Sequence, residues 1–187
     1  MKKSQLKSLP LLLVAAAAGT GCTMMGNFVK SELSAYAEPT TGELAHVRLV
    51  GSRNVKVYPA STCPSVYVPG SGYPAGPQMG GQRKRDLGMP KTGHEPKHFV
   101  EIAARGDEPI TTAFQIGRYK GQWQQSCYVA NTFVPQTGRN YEVTATWMGD
   151  RCVAAVYEIV KGAAGYQRSR VPTATATCPQ TEPAADA

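Results

Sequence analysis

One string in the sequence has the residue types and spacing of a catalytic metal site. Residues 94–98 read HEPKH, which fits the pattern H-E-x-x-H. In zinc peptidases this pattern places two histidines one helical turn apart as Zn²⁺ ligands, and the glutamate activates the metal-bound water. The pattern needs a helix through all five residues, whereas Pro96 removes a backbone donor from its middle and clashes with the preceding turn. We therefore expect a loop entering a strand here, with no metal at His94 and His98 and no cofactor.

The cysteines offer a second kind of chemistry. The chain has five, an odd number that requires an explanation in an exported protein. Cys22 follows the apolar run at 11–18 after the short sequence GTG, and none of the other four is in a CxxC motif that would favour a zinc or redox site. In an oxidising compartment those four, Cys63, Cys127, Cys152 and Cys178, predict two disulfides. Buried free thiols are the alternative.

A short basic run is the most distinctive charged feature. Arg83, Lys84 and Arg85 stand together, with Asp86 beside them. Guanidinium and ammonium groups bind phosphate and carboxylate, so the run could contact lipid phosphate or acidic polysaccharide. The alternative is a solvated loop tip, since small basic patches are common on proteins with a positive net charge.

The N-terminus has the organisation of an export signal. Lys2, Lys3 and Lys7 form a charged region before the apolar run LLLVAAAA, which is too short to span a bilayer. The following residues, GTGC at 19–22, resemble the lipobox of bacterial lipoproteins, although Gly19 departs from the usual branched residue. The resemblance implies that Cys22 becomes the lipidated N-terminus of the mature chain. An ordinary cleaved signal, with Cys22 left as a thiol or disulfide partner, is the alternative.

The net charge argues against one class of partner. The chain has 20 basic and 13 acidic residues, a net charge of +7, and removal of the three signal lysines leaves 17 against 13, or +4. This mild excess gives no case for nucleic acid, and an exported protein would seldom meet it.

Hydrophobic patterning predicts an all-β domain. Residues 44–59 alternate with period two and contain GSRN, which predicts a hairpin. Residues 64–93 contain five prolines and seven glycines, so we expect a long surface loop. Alternation resumes at 99–116 around the turn RGDEP, and three strand-like runs at 127–160 are broken by PQTG and MGD. We read those three runs as a meander.

These elements define the predicted organisation. We expect a signal peptide at 1–21, a lipidated tether at 22–43, a folded domain at 44–178 and a disordered tail at 179–187. About seven short strands without a long helical period favour an antiparallel β-sandwich or a partly open barrel.

The expected meander has a consequence for disulfide pairing. Cys127 and Cys152 would open its first and third strands and be separated by the middle strand. Two strands that flank a third lie about 9.6 Å apart, beyond the roughly 7 Å limit for a disulfide. We therefore predict pairs between Cys152 and Cys178 and between Cys63 and Cys127.

Four motifs in order carry a family resemblance: YPASTC at 58–63, LGMP at 87–90, FVPQTGRNYEV at 133–143, and Cys152. Together they resemble small uncharacterised proteobacterial lipoproteins with a β-sandwich domain. The resemblance implies an outer-membrane lipoprotein facing the periplasm or the surface, with no catalytic residues to transfer. We therefore expect a non-enzymatic envelope protein, held in the membrane by its lipid, that contacts an envelope protein or polysaccharide. The alternatives are a zinc-dependent hydrolase and a module that binds a small ligand or a polysaccharide.

Overall fold

A computed structural model of the protein describes residues 33–51, 54–64, 68–74, 85–93 and 99–178. These residues form nine strands, two more than the sequence predicted. The strands are β1 (Leu44–Val50), β2 (Asn54–Pro59), β3 (Phe99–Arg105), β4 (Ile110–Lys120), β5 (Trp123–Phe133), β6 (Asn140–Met148), β7 (Arg151–Gly162), β8 (Gly165–Val171) and β9 (Ala174–Thr175).

The strands form two sheets that pack face to face. One sheet has five strands in the order β3-β1-β6-β7-β8, and the other has four in the order β2-β4-β5-β9. Every pairing is antiparallel except that of β1 with β6, which is parallel. The fold is therefore a β-sandwich and not a closed barrel, and the all-β prediction is confirmed.

The core consists of the inward-facing residues of both sheets. Alternation along each strand sends every second side chain inward, as the sequence pattern predicts for a strand with one face in a core. The rings of Phe133 and Tyr141 pack against each other in the core, with their centroids 5.4 Å apart and their planes tilted by 52°. The buried apolar residues of this cluster are Tyr36, Ala45, Val47, Leu49, Val55, Val57, Val100, Ile102, Ala104, Ile110, Phe114, Ile116, Phe133, Tyr141, Val143, Ala145 and Val156.

The predicted hairpin of β1 and β2 is wrong. β1 pairs with β3 and β6, while β2 pairs with β4 in the other sheet. The chain crosses between the sheets after Val50, where Gly51 adopts a φ of 101° and has no room for a Cβ against the Ala145 carbonyl. Both strands bury the residues predicted to face the core, because a crossing strand presents the same alternating face as a hairpin partner.

The predicted meander at 127–160 is also wrong, and so is the pairing derived from it. β6 and β7 form a hairpin, but β5 lies in the opposite sheet beside β4. Cys127 on β5 and Cys152 on β7 both point into the space between the sheets. Their Cα atoms are 6.1 Å apart and their sulfurs are bonded. This disulfide joins the two sheets directly, which a flat meander would not have allowed.

The second disulfide joins Cys63 to Cys178, so the predicted partners Cys127 and Cys152 are both corrected. The chain does fold back after β7 as β8, but it then crosses to the other sheet, where β9 pairs with β5. That crossing carries Cys178 to the segment after β2, where the Thr177 amide donates to the Thr62 carbonyl at 3.0 Å. The bridge therefore holds the C-terminal segment against the end of β2.

Residues of the predicted surface loop and of the predicted tether contribute to the buried interior. None of the nine strands lies in the described portions of the Pro/Gly-rich region, yet Tyr73 and Met89 within them are buried. Tyr36, expected in the tether, is a core residue whose hydroxyl donates to the Ala103 carbonyl at 3.1 Å. Burial raises the pKa of the Tyr36 phenol well above its usual range, with nearby Glu38 adding to the effect and Arg105 opposing it. The predicted tail at 179–187 and the tether up to residue 32 lie outside the described residues.

Candidate functional site

Several residues that the sequence analysis considered for a functional role, including the two histidines at which no metal was expected, lie outside the described part of the chain. These are Cys22, Arg83, Lys84, His94 and His98. Among the residues that are described, no group of three or more histidine, cysteine, aspartate or glutamate side chains is placed to hold a metal ion.

Arg85, the described member of the predicted basic run, is engaged within the protein. Its guanidinium forms a two-pronged salt bridge with the Glu38 carboxylate, with nitrogen to oxygen distances of 2.5 and 2.7 Å. The Arg85 carbonyl also accepts a hydrogen bond from the Glu101 amide at 3.0 Å. Arg85 therefore attaches its segment to β3 and to the N-terminal segment. Anion binding at Arg83 and Lys84 stays a prediction.

The outer face of the four-stranded sheet carries a hollow with a cavity volume of about 130 Å³. It forms where β2 and β4 place a long side chain, Lys56, opposite a short one, Ala113. The neighbouring pair on β4 and β5, Ala113 and Ala130, is short on both sides, so the sheet surface is low at this point. Seven described residues line the hollow: Asn54, Lys56, Tyr58, Tyr73, Ala113, Gln115 and Tyr128.

The floor of the hollow combines a cation with aromatic rings. Lys56 is only 6% exposed, and its ammonium nitrogen lies 5.5 Å from the ring centroid of Tyr58 and 5.9 Å from that of Tyr73. The negative face of an aromatic ring attracts a cation at this distance, which offsets part of the free energy of removing the ammonium from water. The two tyrosines thus hold a positive charge at the base of a surface depression.

A close backbone contact positions Tyr73. The neighbouring Gly72 exchanges two hydrogen bonds with Val57 on β2, at 2.9 and 3.0 Å, and the Tyr73 amide donates to the Ser34 carbonyl at 2.9 Å. A Cβ at Gly72 would collide with the backbone of Ala35. Glycine is therefore required at position 72 for the N-terminal segment to pack against this loop and hold it beside β2. This contact places Tyr73 at the hollow.

The rim of the hollow is polar and open. Asn54, Gln115 and Tyr128 occupy one row across β2, β4 and β5, since Asn54 pairs with Gln115 and Gln115 pairs with Tyr128. Tyr128 is 59% exposed. Amide groups and phenol hydroxyls each donate and accept hydrogen bonds, so this row can bind both hydrogen-bond donors and hydrogen-bond acceptors of a ligand.

The opposite face of the sandwich holds a different polar cluster. Arg48 lies in register with Glu101 and Glu142 on the two strands beside it, and all three side chains are buried. Its Nε donates to Glu101 Oε1 at 2.9 Å, and its Nη1 lies 3.6 Å from Glu142 Oε2. Glu142 Oε1 accepts from Arg168 Nη1 at 2.8 Å. Two guanidinium groups therefore balance two carboxylates.

This cluster fastens the LGMP segment over the five-stranded sheet. Arg48 Nη2 donates to the Met89 and Pro90 carbonyls at 3.2 and 3.1 Å. Glu101 Oε2 accepts from the Leu87 amide at 2.5 Å and the Met89 amide at 3.3 Å. The charged side chains of this cluster pair with each other and with backbone groups of the loop, so the cluster holds the loop on the sheet. The hollow is therefore the stronger candidate for a binding site.

With the fold and the hollow established, comparison with known proteins gives no further identification. No protein-family model, curated protein or solved structure matches the chain. Over the described residues, no helix has both the length and the apolar character required to cross a membrane.

Sequence reasoning missed every residue of the hollow. A signal was present: Asn54, Lys56 and Tyr58 stand at alternate positions, so a strand must place them on one face, opposite the apolar Val55 and Val57. That pattern identifies an outer face of mixed amide, cation and ring. It contains no information about Tyr73 and Tyr128, which reach the hollow from a loop and from a strand far along the chain.

Proposed function

We propose that the protein is an exported lipoprotein, anchored in the outer membrane through Cys22, whose β-sandwich has a non-enzymatic interaction role in the envelope. The observation that carries this proposal is the disulfide pattern. Cys63, Cys127, Cys152 and Cys178 are all consumed in two disulfides, which leaves Cys22 as the fifth cysteine. Disulfides are typical of oxidising compartments. The remaining cysteine is the one that follows the signal-like run.

An interaction role is supported by the chemistry of the hollow. A buried ammonium, three phenols and two amides are groups that hold and orient a ligand. The exposed ring of Tyr119, near the end of the β4–β5 hairpin and on the same outer face as Gln115, offers further contact area. The anchor would keep this surface at the membrane, where an envelope polymer or protein is its partner.

The anchor is tested by labelling the full-length protein with palmitate in cells. We expect wild-type protein to incorporate the label and to fractionate with outer membranes, and Cys22→Ser to do neither. Cys63→Ser with Cys178→Ser is the matched control, because it also removes cysteines and should retain the label. Equal labelling of wild type and Cys22→Ser, or wild-type protein in the soluble periplasmic fraction, would overturn the proposal.

A further inference from the structure

We infer that the edge strand β8 binds an extended acidic segment of another protein, which adds to the five-stranded sheet as a sixth strand and places a carboxylate at Arg170. This inference names a partner class for the proposed interaction role and rests on that proposed function for its setting in the envelope. Its support comes from the backbone pairing, the exposure and the charge of β8.

β8 is a long and exposed edge of its sheet. The two sheets end at β3, β8, β2 and β9. A loop segment lies beside β3 and another beside β2, through the bridges of Arg85 with Val100 and of Gly72 with Val57, and β9 has only two residues. Six of the seven β8 residues are exposed, and no segment within the described residues pairs with the free side of β8. A further strand can therefore be added at β8 without displacing a described part of the chain.

The hairpin that joins β7 to β8 determines which backbone groups of β8 face outward. Its register pairs Gly162 with Gly165 across a two-residue loop, and the residues that flank such a loop bond to each other through both backbone groups. Because this pattern alternates along an antiparallel pair, every second residue after Gly165 bonds to β7. The amides and carbonyls of the residues between them, Tyr166, Arg168 and Arg170, point away from β7. An incoming strand therefore meets donors and acceptors in regular order.

The side chains beside these backbone groups are basic. Alternation places Tyr166, Arg168 and Arg170 on one face of β8, and Lys161 of β7 lies in register with Tyr166 on the same face. Arg168 Nη1 donates to the buried Glu142 carboxylate at 2.8 Å. Arg170 is exposed, and its side chain has no ion pair or hydrogen bond within the described part of the chain. The guanidinium of Arg170 is therefore available to a carboxylate on an added strand.

These charges select an acidic strand and disfavour a second copy of β8. Antiparallel pairing of two β8 strands along their full length would put Arg168 opposite its own copy, and like charges directly opposite each other destabilise a strand pair. A segment with acidic residues at alternate positions would instead place a carboxylate opposite Arg170, where a cross-strand pair of opposite charge is stabilising. Glu158 lies on the other face of the sheet, in register with Ser169, and is already paired with Arg139 at 3.3 Å. It therefore does not compete for Arg170.

The test uses the full-length protein, purified in detergent from membranes or without detergent if it is soluble. The probe is a fluorescent decapeptide in which glutamate alternates with threonine, and its affinity is measured by anisotropy. We expect this peptide to bind, and Arg170→Gln to weaken it about threefold, the size of one exposed ion pair. A peptide with glutamine in place of glutamate should bind more weakly and should not distinguish Arg170→Gln from wild type. Arg151→Gln, which removes an exposed arginine near the other end of β7, is the matched control and should leave both affinities unchanged.

Backbone-methylated peptides test strand addition without altering the protein. Only every second amide of an added strand faces β8, so N-methylation of one alternate set of residues should abolish binding and N-methylation of the other set should preserve it. Equal affinities of the two methylated peptides would overturn strand addition.

Three other results would overturn the assignment to an acidic segment. These are no binding of the glutamate peptide, equal binding of the glutamine peptide, and a wild-type dimer in analytical ultracentrifugation that the glutamate peptide dissociates, which would assign the edge to a second copy. Palmitate labelling of Cys22 is unaffected by any of these results, so failure of the β8 surface and failure of the anchor are distinguishable.

Discussion

The disulfide between the two sheets gives the sharpest quantitative prediction. We consider the paired replacement Cys127→Ala with Cys152→Ala, which removes the bridge without leaving a free thiol. The bridge closes 25 residues of chain, and the loop-entropy relation gives it about 3.5 kcal/mol of stabilisation at 25 °C. The Cys63–Cys178 bridge closes 115 residues, which corresponds to about 4.8 kcal/mol.

The two bridges are nested, which slightly changes their sum. While the inner bridge is intact, it shortens the loop that the outer bridge closes, so the outer contribution falls to about 4.6 kcal/mol. Removing both bridges should therefore lower the free energy of unfolding by about 8 kcal/mol. This is a large fraction of the 5–15 kcal/mol that is typical of folded domains.

Urea unfolding of the full-length oxidised protein, followed by circular dichroism, measures these differences. The decisive comparison is with the mismatched pair Cys63→Ala and Cys127→Ala, which breaks both bridges. We expect this variant to lose the full sum and to show two more thiols than wild type when titrated in denaturant. If the Cys63 and Cys127 variant showed no additional thiol and were more stable than the Cys127 and Cys152 variant, the pairing would be refuted.

Two further predictions concern buried groups. Arg48→Met leaves the buried Glu101 carboxylate without its charge partner and should lower the free energy of unfolding by about 3–5 kcal/mol, measured by urea unfolding at pH 7. For Tyr36, the raised pKa means that the unfolded chain releases its phenol proton first as the pH rises past about 10. Stability should then fall by about 1.4 kcal/mol per pH unit above pH 10, and Tyr36→Phe should remove this contribution to the slope.

The predictions for Arg48→Met and for Tyr36→Phe each have a matched control. Arg151→Met removes an exposed arginine from β7 and should cost little. If Arg48→Met lowered the free energy of unfolding as little as Arg151→Met, the buried charge cluster would not stabilise the fold. Tyr119→Phe, altered at an exposed ring, is the comparison for Tyr36→Phe, and identical alkaline slopes for Tyr36→Phe and wild type would contradict the burial argument.

The fold class and the core faces were predictable because alternation is a local property. Val47, Val57, Phe114 and Val143 are buried where the sequence pattern placed them. Burial of one face requires only that a strand lie on a core, and each of these strands does. The same prediction follows whichever neighbour the strand pairs with.

Strand pairing was not predictable for the same reason. A short turn such as the one after β1 serves equally for a hairpin and for a crossing between two sheets, and both arrangements bury the same residues. The disulfide error followed directly: the distance rule for Cys127 and Cys152 was sound within one sheet, but the two strands face each other from opposite sheets. The hollow was missed because Tyr73 and Tyr128 join Lys56 only through these long-range pairings.

The parallel pairing of β1 with β6 has a kinetic consequence. β1 lies between β3 and β6 in its sheet, and these partners begin at Phe99 and at Asn140, far along the chain. Contacts of such high sequence separation slow folding, because much of the chain must be ordered before they form. Synthesis therefore exposes β1 long before its second partner exists. For a protein that is exported as we propose, this delay keeps the chain unfolded until it has crossed the membrane. The two disulfides can then form in the oxidising compartment as the chain folds.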